Sequence, residues 1–195
     1  MYPINEIFCS LQGEGYHTGT VSVFVRFSGC NLKCDFCDTN HLEHTMMSLP
    51  EIVSAVMKYH KAPMVVLTGG EPGLHIDDAI IKALKMTGKT ITIETNGTCQ
   101  LPEGIDWITL SPKAAFKGGK AIPCQISHCD ELKVVYIGQD LSQYNNIIAN
   151  HRFLQPCYVD DPVERLSGLQ ATVKAVLDNP TWRLSLQTHR ILGIK

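Results

Sequence analysis

Hydrophobic positions change their spacing along the chain in a regular way, which predicts alternating strands and helices. The run VSVFVRF, residues 21–27, is rich in β-branched and aromatic residues and predicts a strand that leads directly into a cysteine-rich loop. In SLPEIVSAVMKYH, apolar residues recur at helical spacing, Ser48 can cap the helix and Glu51 completes a capping box. The first unit of the fold is therefore predicted to be a strand, a loop and a helix.

The same alternation continues to the end of the chain. Further strands are predicted at MVVL, TITIE, WITLS, ELKVVYI, FLQPCYV and WRLSLQ, and further helices at DDAIIKALKM, LSQYNNIIAN and VERLSGLQATVKAVL. Strands that alternate with helices favour a parallel sheet with helical crossovers. Because 195 residues are too few for a full eight-fold barrel, we predict one α/β domain, residues 1–195, built as an abridged partial (β/α) barrel of about six parallel strands. Only eight residues separate Thr39 from Ser48, so we expect one crossover helix to be reduced or missing.

Several polar motifs follow directly after predicted strands. They are the cysteine loop, TGGEP, ETNG, SPK and LQP. In parallel α/β folds the carboxyl ends of the strands meet at one rim, where ligands bind. The paired glycines of TGGEP would also let a ligand approach the backbone closely. The pattern therefore predicts an active site along this rim.

Composition and charge narrow the possible partners. The chain is 44% hydrophobic and 18% charged, and its formal net charge of -2 offers no general attraction to nucleic-acid phosphates. A small-molecule substrate is thus favoured over nucleic acid. The start MYPINEIF lacks a basic segment followed by an apolar stretch, and no apolar run approaches the roughly 18 residues that span a bilayer. We expect a cytoplasmic protein with no membrane partner.

Eight cysteines occur in the chain, and three of them, Cys30, Cys34 and Cys37, stand close together in GCNLKCDFCDTNH. A reducing compartment argues against a disulfide framework, so metal binding explains this loop better. A lone cysteine is most often a small buried side chain, and the sequence assigns no role to Cys9, Cys99, Cys124, Cys129 or Cys157.

Two metal centres fit the three-cysteine loop. A structural zinc ion needs a fourth ligand, which His41 or His44 could supply. A 4Fe-4S cluster held by three cysteines instead leaves one iron free to bind a small molecule. The spacing alone does not separate the two centres. The TGGEP motif favours the cluster, because a zinc module does not need such a motif on the next strand.

The motifs taken together resemble a known family. C-x3-C-x2-C after the first barrel strand, an aromatic residue before the last cysteine and a GGEP rim are similar to the radical S-adenosylmethionine (SAM) superfamily. More narrowly, PINEIFCSLQGEG, VFVRFSGCNLKCDFCDT, VVLTGGEP, ITIETNGT, LSPK and WRLSLQTHRILGI resemble the 7-carboxy-7-deazaguanine synthases. This resemblance runs from residue 3 to the last few residues.

The resemblance implies an activity and its cofactors. It implies a carbon-nitrogen lyase that converts 6-carboxy-5,6,7,8-tetrahydropterin, called the carboxypterin below, to 7-carboxy-7-deazaguanine with loss of ammonia, for queuosine and 7-deazapurine biosynthesis. It implies a 4Fe-4S cluster, SAM as a regenerated cofactor, and Mg2+. It also implies an electron donor such as flavodoxin or ferredoxin, a homodimer, and a barrel of the radical SAM type.

The resemblance further implies roles for individual residues. Cys30, Cys34 and Cys37 would hold the cluster, and Thr39 would place its hydroxyl on Mg2+. The SAM-binding wall would comprise Phe36, Cys37, Asp38, Gly70, Glu71, Ser111, Pro112, Lys113, Gln155, Pro156, Cys157 and Tyr158. Substrate contacts would come from Leu11, Gln12, Gly13, Glu14, Arg26, Thr68, His189 and Lys195.

The side-chain chemistry is compatible with these roles but also with simpler ones. Arg26 ends an apolar strand, where its guanidinium would either fork onto a substrate carboxylate or form a structural ion pair. The Thr39 hydroxyl suits Mg2+, which prefers oxygen ligands, but it could equally be a turn hydroxyl. Glu71 could simply fix the GGEP turn, and Asp38 could cap the following helix.

Two other classes of protein stay open from the sequence. The cysteine motif alone is compatible with an activating enzyme for a glycyl-radical partner, and a zinc-binding interaction module would use the same thiols. The polar LQGEG segment and the QTH ending favour a small carboxylated substrate instead. We expect the tail from His189 to Lys195 to fold over that substrate.

Overall fold

The computed structural model describes residues 1–37, 43–116 and 122–195. Within these ranges nine strands form one sheet in the order β3-β1-β2-β4-β5-β6-β7-β8-β9. The strands are β1 (Tyr2–Leu11), β2 (Val21–Phe27), β3 (Thr45–Met47), β4 (Met64–Gly69), β5 (Thr90–Thr95), β6 (Trp107–Leu110), β7 (His128–Tyr136), β8 (Ile148–Pro156) and β9 (Arg183–Leu184). The helices are α1 (Leu49–Met57), α2 (Asp78–Lys85), α3 (Pro162–Asp178) and α4 (Thr188–Leu192).

The sheet is parallel from β2 to β9 and antiparallel at its other end. Each neighbouring pair from β2–β4 to β8–β9 is parallel, whereas β1 pairs antiparallel with both β2 and β3. The nine strands of the described ranges do not close into a barrel, which confirms the predicted partial barrel of parallel strands. β9 contributes just two residues to the parallel set.

Alternation along the strands separates an apolar outer face from an inner face that carries polar residues beside a small apolar cluster of Phe24, Met64 and Val66. On the outer face, Leu67 and Ile93 pack with Ile52 of α1 and with Ile80 and Leu84 of α2, all fully buried. A second cluster joins β6, β7 and β8 to α3 and Trp182. The helices therefore cover one face of the sheet, and the alternate strand residues are left to line the inner face.

Local capping explains where two of the predicted helices begin. At α1, the Glu51 carboxylate accepts hydrogen bonds from the backbone N–H and the hydroxyl of Ser48. At α2, Asp77 accepts from the backbone N–H of Ile80 at 3.0 Å and from the Tyr2 hydroxyl at 2.9 Å. No helix in the described ranges is long and apolar enough to cross a membrane.

Four elements differ from the sequence prediction. The pattern misses β1, β3 and α4; β1 carries the polar residues Asn5 and Glu6, and the other two elements are short. The helix predicted at LSQYNNIIAN is wrong, because a 3-10 turn forms at Leu141–Tyr144 and β8 begins at Ile148. Tyr144 and Ile147 are the buried residues of this segment, and they pack into the second core cluster.

One crossover helix was expected to be reduced or missing near the cysteine loop, whereas among the described residues α1 is present there and later crossovers lack a helix. α1 lies between β2 and β4. Among the described residues, the β5–β6 and β6–β7 connections contain no helix, and the β7–β8 connection contains the 3-10 turn alone. At these strands, loops rather than helices connect one parallel strand to the next.

Candidate active site

A cavity of about 980 Å³ lies on the inner face, where the cysteine loop, several strand ends and the C-terminal segment meet. Its wall includes residues from β2, β4, β5, β7 and β8 and from the loop after β1. The topology explains the convergence, because the carboxyl ends of β2 to β9 share one edge of the sheet. The predicted rim is thus the wall of one cavity.

The three cysteines of the first loop share this wall. Cys30, Cys34 and Cys37 all line the cavity, and the Leu32 backbone N–H donates to Cys30 Sγ at 3.4 Å. Burial raises the pKa of the Cys30 and Cys34 thiols. Across the described ranges, no three histidine, cysteine or acidic side chains converge as a preformed ion site. The donor set itself, three thiols with a backbone N–H aimed at one sulfur, fits a cluster with an open iron.

Two glycines let the GGEP turn press against the cysteine loop. Gly69 has a φ of 131°, and a Cβ there would lie 2.1 Å from the Phe27 carbonyl oxygen. A Cβ on Gly70 would lie 2.0 Å from the Gly29 carbonyl oxygen and 3.1 Å from the Cβ of Cys30. The Glu71 backbone N–H donates to the Gly29 carbonyl at 2.9 Å. The position of Cys30 therefore depends on this turn.

Glu71 ties the turn to the end of β5. Its carboxylate accepts from the Gly73 backbone N–H at 2.8 Å, the Thr95 hydroxyl at 2.7 Å and the Asn96 backbone N–H at 2.7 Å. The residue is fully buried, and burial raises the pKa of its carboxyl despite these donors. In this position Glu71 holds TGGEP and ETNG together.

Lys133 links two carboxylates on the cavity wall. It lies on β7, is buried, and its Nζ contacts Glu14 and, at 3.2 Å, Oε1 of Glu94. Burial alone would raise the pKa of Glu14, but the Lys133 ammonium and the Gln187 amide lower it to about 2. The same carboxylates raise the pKa of Lys133 well above its usual range, although burial acts the other way. Glu14 and Lys133 are therefore an ionised pair.

Neutral side chains complete the polar wall around Glu94. The Thr68 hydroxyl donates to Glu94 Oε2 at 3.1 Å, and the Gln12 amide donates to Glu94 Oε1 at 3.2 Å. Gln12 and Thr68, predicted from two separate motifs, thus meet at the carboxylate of Glu94. A ligand with several ring N–H groups would find both carboxylate and amide acceptors here.

A second lysine lies near the cysteines. Lys113 Nζ donates to the Ser111 carbonyl at 2.7 Å and to the Ser111 hydroxyl at 2.6 Å. Burial, with repulsion from Lys133, lowers the pKa of Lys113 to about 8. Phe36 packs against Phe116 with ring centroids 4.0 Å apart. The SPK motif and the aromatic residue of the cysteine loop therefore form adjacent parts of the wall.

The C-terminal segment is attached to the first strand and to the loop after it. The Thr188 backbone N–H donates to the Gly13 carbonyl at 2.9 Å, and the Gln187 amide donates to Glu14 Oε1 at 2.8 Å. Glu6 accepts from Arg26 Nε at 3.1 Å and also pairs with Lys195. The predicted arginine therefore makes a structural ion pair while it lines the cavity.

The cavity brings together most of the predicted residues. Those that line it are Leu11, Gln12, Gly13, Glu14, Arg26, Cys30, Cys34, Phe36, Cys37, Thr68, Gly70, Ser111, Lys113, Gln155, Pro156, Tyr158, His189 and Lys195. Three predicted residues of the described ranges do not line it: Glu71, Pro112, which faces a separate cavity of about 180 Å³, and Cys157. The predictions for Asp38, Thr39 and His41 fall outside the described residues.

Sequence reasoning missed two charged residues of the wall, Glu94 and Lys133. Lys133 stands in ELKVVYI, which the pattern predicts only as a strand, whereas Glu94 opens ETNG, a predicted rim motif in which no single residue had a predicted role. A charged residue inside an otherwise apolar strand was the available signal, because such a residue is rarely buried without a partner.

Comparisons with known proteins agree with this geometry. The Radical SAM superfamily model matches residues 24–117. The chain is 55% identical over 195 residues to 7-carboxy-7-deazaguanine synthase of Bacteroides thetaiotaomicron, covering 100% of both chains. It is 39% identical to the synthase of Bordetella pertussis, covering 99% of each. The crystal structure of QueE from Escherichia coli matches with a TM-score of 0.79 at 27% identity, covering 95% of this chain and 93% of that one.

Proposed function

The chain belongs to the 7-carboxy-7-deazaguanine synthase family of the radical SAM superfamily, and on this premise we propose that it converts the carboxypterin to 7-carboxy-7-deazaguanine and ammonia. The observation that carries the proposal is the single cavity in which three cluster-type cysteines face a polar wall of Gln12, Glu14 and Glu94. The overall reaction loses one ammonia and requires no net oxidant. The cluster and SAM, when bound, supply a radical that abstracts hydrogen.

We propose that the cavity divides into two walls. On one, Cys30, Cys34 and Cys37 hold the cluster, with Ser111 and Lys113 beside the cofactor. This division is supported by the packing of the GGEP turn against Cys30 and by the Phe36–Phe116 contact. Gly70 leaves space for the Gly29 carbonyl and the Cβ of Cys30, and a larger residue there would displace the cysteine loop.

On the opposite wall, the pterin ring would donate its N–H groups to carboxylates. Glu14 is ionised at neutral pH because Lys133 lowers its pKa, so its carboxylate oxygens can accept hydrogen bonds from the pterin. Arg26 gives its Nε to Glu6, so its Nη pair is the fork that would bind the substrate carboxylate. A pterin without the carboxylate should therefore bind more weakly, and Arg26→Gln should abolish that difference.

The experiment compares the carboxypterin with the same tetrahydropterin lacking the carboxyl group, in wild type and Arg26→Gln. We expect wild type to form 7-carboxy-7-deazaguanine and to prefer the carboxylated compound by about 10-fold or more in Kd. Glu103 is an exposed carboxylate in the β5–β6 loop, and Glu103→Gln is the control for effects of a substitution outside the cavity. Equal affinity for the two pterins in wild type would contradict the assignment of this wall.

We also propose that Thr39 gives its hydroxyl to Mg2+, which would bridge to the substrate. Mg2+ prefers oxygen ligands in octahedral geometry, so Thr39→Ser should keep the Mg2+ dependence and Thr39→Val should lose it. A titration of rate against Mg2+ measures this. If wild type and Thr39→Val reach half of their maximal rate at the same Mg2+ concentration, Thr39 is not a ligand of Mg2+.

The partners of the reaction are proposals as well. We propose flavodoxin or ferredoxin as the electron donor, because the cluster would have to be brought to its reduced state for the radical to form. The family resemblance of the sequence supports a homodimer, and the cytoplasm as its location is supported by the N-terminal sequence and the short apolar runs. Sedimentation analysis of the reconstituted protein would decide the oligomeric state.

A further inference from the structure

Glu131 is a buried carboxylate that the proposed reaction does not use. It lies on β7, two residues before Lys133, and is only 2% exposed. Alternation places it on the inner face with Lys133, one step further from the carboxyl end of the strand. It does not line the cavity of the described residues. A carboxylate in such a position needs donors, because burial of an unpaired charge is costly.

The loop after β1 supplies one donor. Glu131 Oε2 accepts a hydrogen bond from the Tyr16 backbone N–H at 3.1 Å. Gly15 has a φ of 65°, and a Cβ on it would lie 1.9 Å from Glu131 Oε1. The Gly15 backbone N–H donates to the Ser185 hydroxyl at 2.9 Å. Two consecutive backbone N–H groups directly after Glu14 are thus held from β7 and from the segment after β9.

Aromatic rings hold the same loop from the side. The Tyr16 ring stacks on Trp107 with centroids 4.8 Å apart and on His151 with centroids 4.4 Å apart. The His17 ring meets Trp107 edge-on at 4.5 Å. Because Trp107 begins β6 and His151 pairs with Glu131 across β7–β8, the loop spans from β1 to the far strands of the sheet. The ring contacts and the Glu131 hydrogen bond act on one short segment.

We propose that Glu131 is a positioning residue for the proposed reaction: by holding the Tyr16 backbone, it aims the Glu14 carboxylate at Lys133 and at the pterin. The inference rests on the proposed function for its substrate. Glu131 touches neither substrate nor cofactor, and it acts through the length and direction of its side chain. An acceptor at the same reach should therefore replace it, whereas a shorter acid should not.

Two variants separate reach from charge. Glu131→Gln keeps the length and one acceptor oxygen but removes the charge. Glu131→Asp keeps the charge but withdraws the oxygen from Tyr16. Glu103→Asp makes the same change at an exposed site. Each reconstituted protein is examined by hydrogen exchange of the segment 12–20, by its iron content and by binding of SAM. Binding at the pterin wall is followed by the fluorescence of 6-carboxypterin, the fully oxidised analogue of the carboxypterin.

Expected results follow from the loss of one buried hydrogen bond. Glu131→Asp should speed exchange in the segment 12–20 and raise the Kd for 6-carboxypterin about 10-fold, with iron content and SAM affinity unchanged. Glu131→Gln and Glu103→Asp should match wild type in all measurements. The inference is overturned if Glu131→Asp binds 6-carboxypterin as tightly as wild type, or if Glu131→Gln is the weaker of the two.

The exchange measurement keeps this test separate from that of the proposed function. If the wild-type protein neither binds nor converts the carboxypterin, the proposed function is contradicted. The rate of exchange at Tyr16 still shows whether Glu131 holds the loop, and unchanged exchange in Glu131→Asp rejects the positioning role in either case.

Discussion

Lys133→Met removes the cation between Glu14 and Glu94 and keeps a side chain of similar length. Lys133 is buried, and its ammonium does more than any other group to lower the pKa of Glu14, whereas burial acts in the opposite direction. After the substitution Glu14 would be a buried carboxylate with the Gln187 amide as a donor but no cation beside it. We expect the protein to be less stable at neutral pH.

The size of the effect follows from the pKa of Glu14. A decrease from the usual 4.5 to about 2 corresponds to about 3 kcal/mol of stability at neutral pH. This agrees with the about 3–5 kcal/mol expected when one partner of a buried ion pair is removed. For a chain of this length, about 2–4 °C per kcal/mol predicts a thermal midpoint lower by about 6–12 °C.

The pH dependence has a definite sign. Because the pKa of Glu14 is lowered in the folded state, its stabilising effect is present above pH 4.5 and is lost as the pH falls toward 2. In Lys133→Met, burial would raise the pKa of the same carboxyl, so acid relieves the buried charge. The difference between wild type and variant should therefore narrow as the pH falls from 7 to 4.

Thermal unfolding followed by circular dichroism, under anaerobic conditions, measures both effects. The matched control is the double variant Glu14→Gln with Lys133→Met, which removes both charges of the pair. It should recover part of the lost stability, because it removes the Glu14 charge but leaves Glu94 without its cation. A Lys133→Met midpoint within 2 °C of wild type, or a double variant less stable than the single one, would refute this reasoning.

Three further results are expected. Gly70→Ala should lower the iron content per chain, because its Cβ would lie 2.0 Å from the Gly29 carbonyl oxygen; Gly168→Ala, where nothing lies within 4 Å, is the control, and equal iron in both would contradict the prediction. Cys34→Ala should lose iron whereas Cys129→Ala should keep it, and the reverse result would reject the cluster assignment. A C-terminal extension should raise the KM for the carboxypterin more than an N-terminal one, because His189 lines the cavity, and equal kinetics would remove the tail from the site.

The order of strands and helices was predictable where the pattern was strong. The apolar run ending at Leu67 and the capped helix at Ser48 needed no information beyond the local sequence. The segment LSQYNNIIAN was not predictable, because Tyr144 and Ile147 are buried by packing against Trp182 and α3, which are distant in sequence. β1 was not predictable from the apolar pattern because it carries polar residues, and it is paired on both sides by β2 and β3.

The site was predictable as a set of motifs but not as a network. Cysteine spacing, the paired glycines and the polar strand ends identified one rim. The contact of Lys133 with Glu14 joins residues 119 positions apart, and no local pattern reports such a distance. The role of Glu71 also depended on the end of β5, since its carboxylate is satisfied by Thr95 and Asn96 rather than by the cavity.

The most direct measurement of the central claim is the product of the reconstituted, reduced protein incubated with SAM, Mg2+ and the carboxypterin. The account predicts 7-carboxy-7-deazaguanine, lighter than the substrate by one ammonia, in an amount that exceeds the SAM supplied. Unchanged carboxypterin beside 5'-deoxyadenosine, or product formation that stops when SAM is consumed one for one, would contradict it.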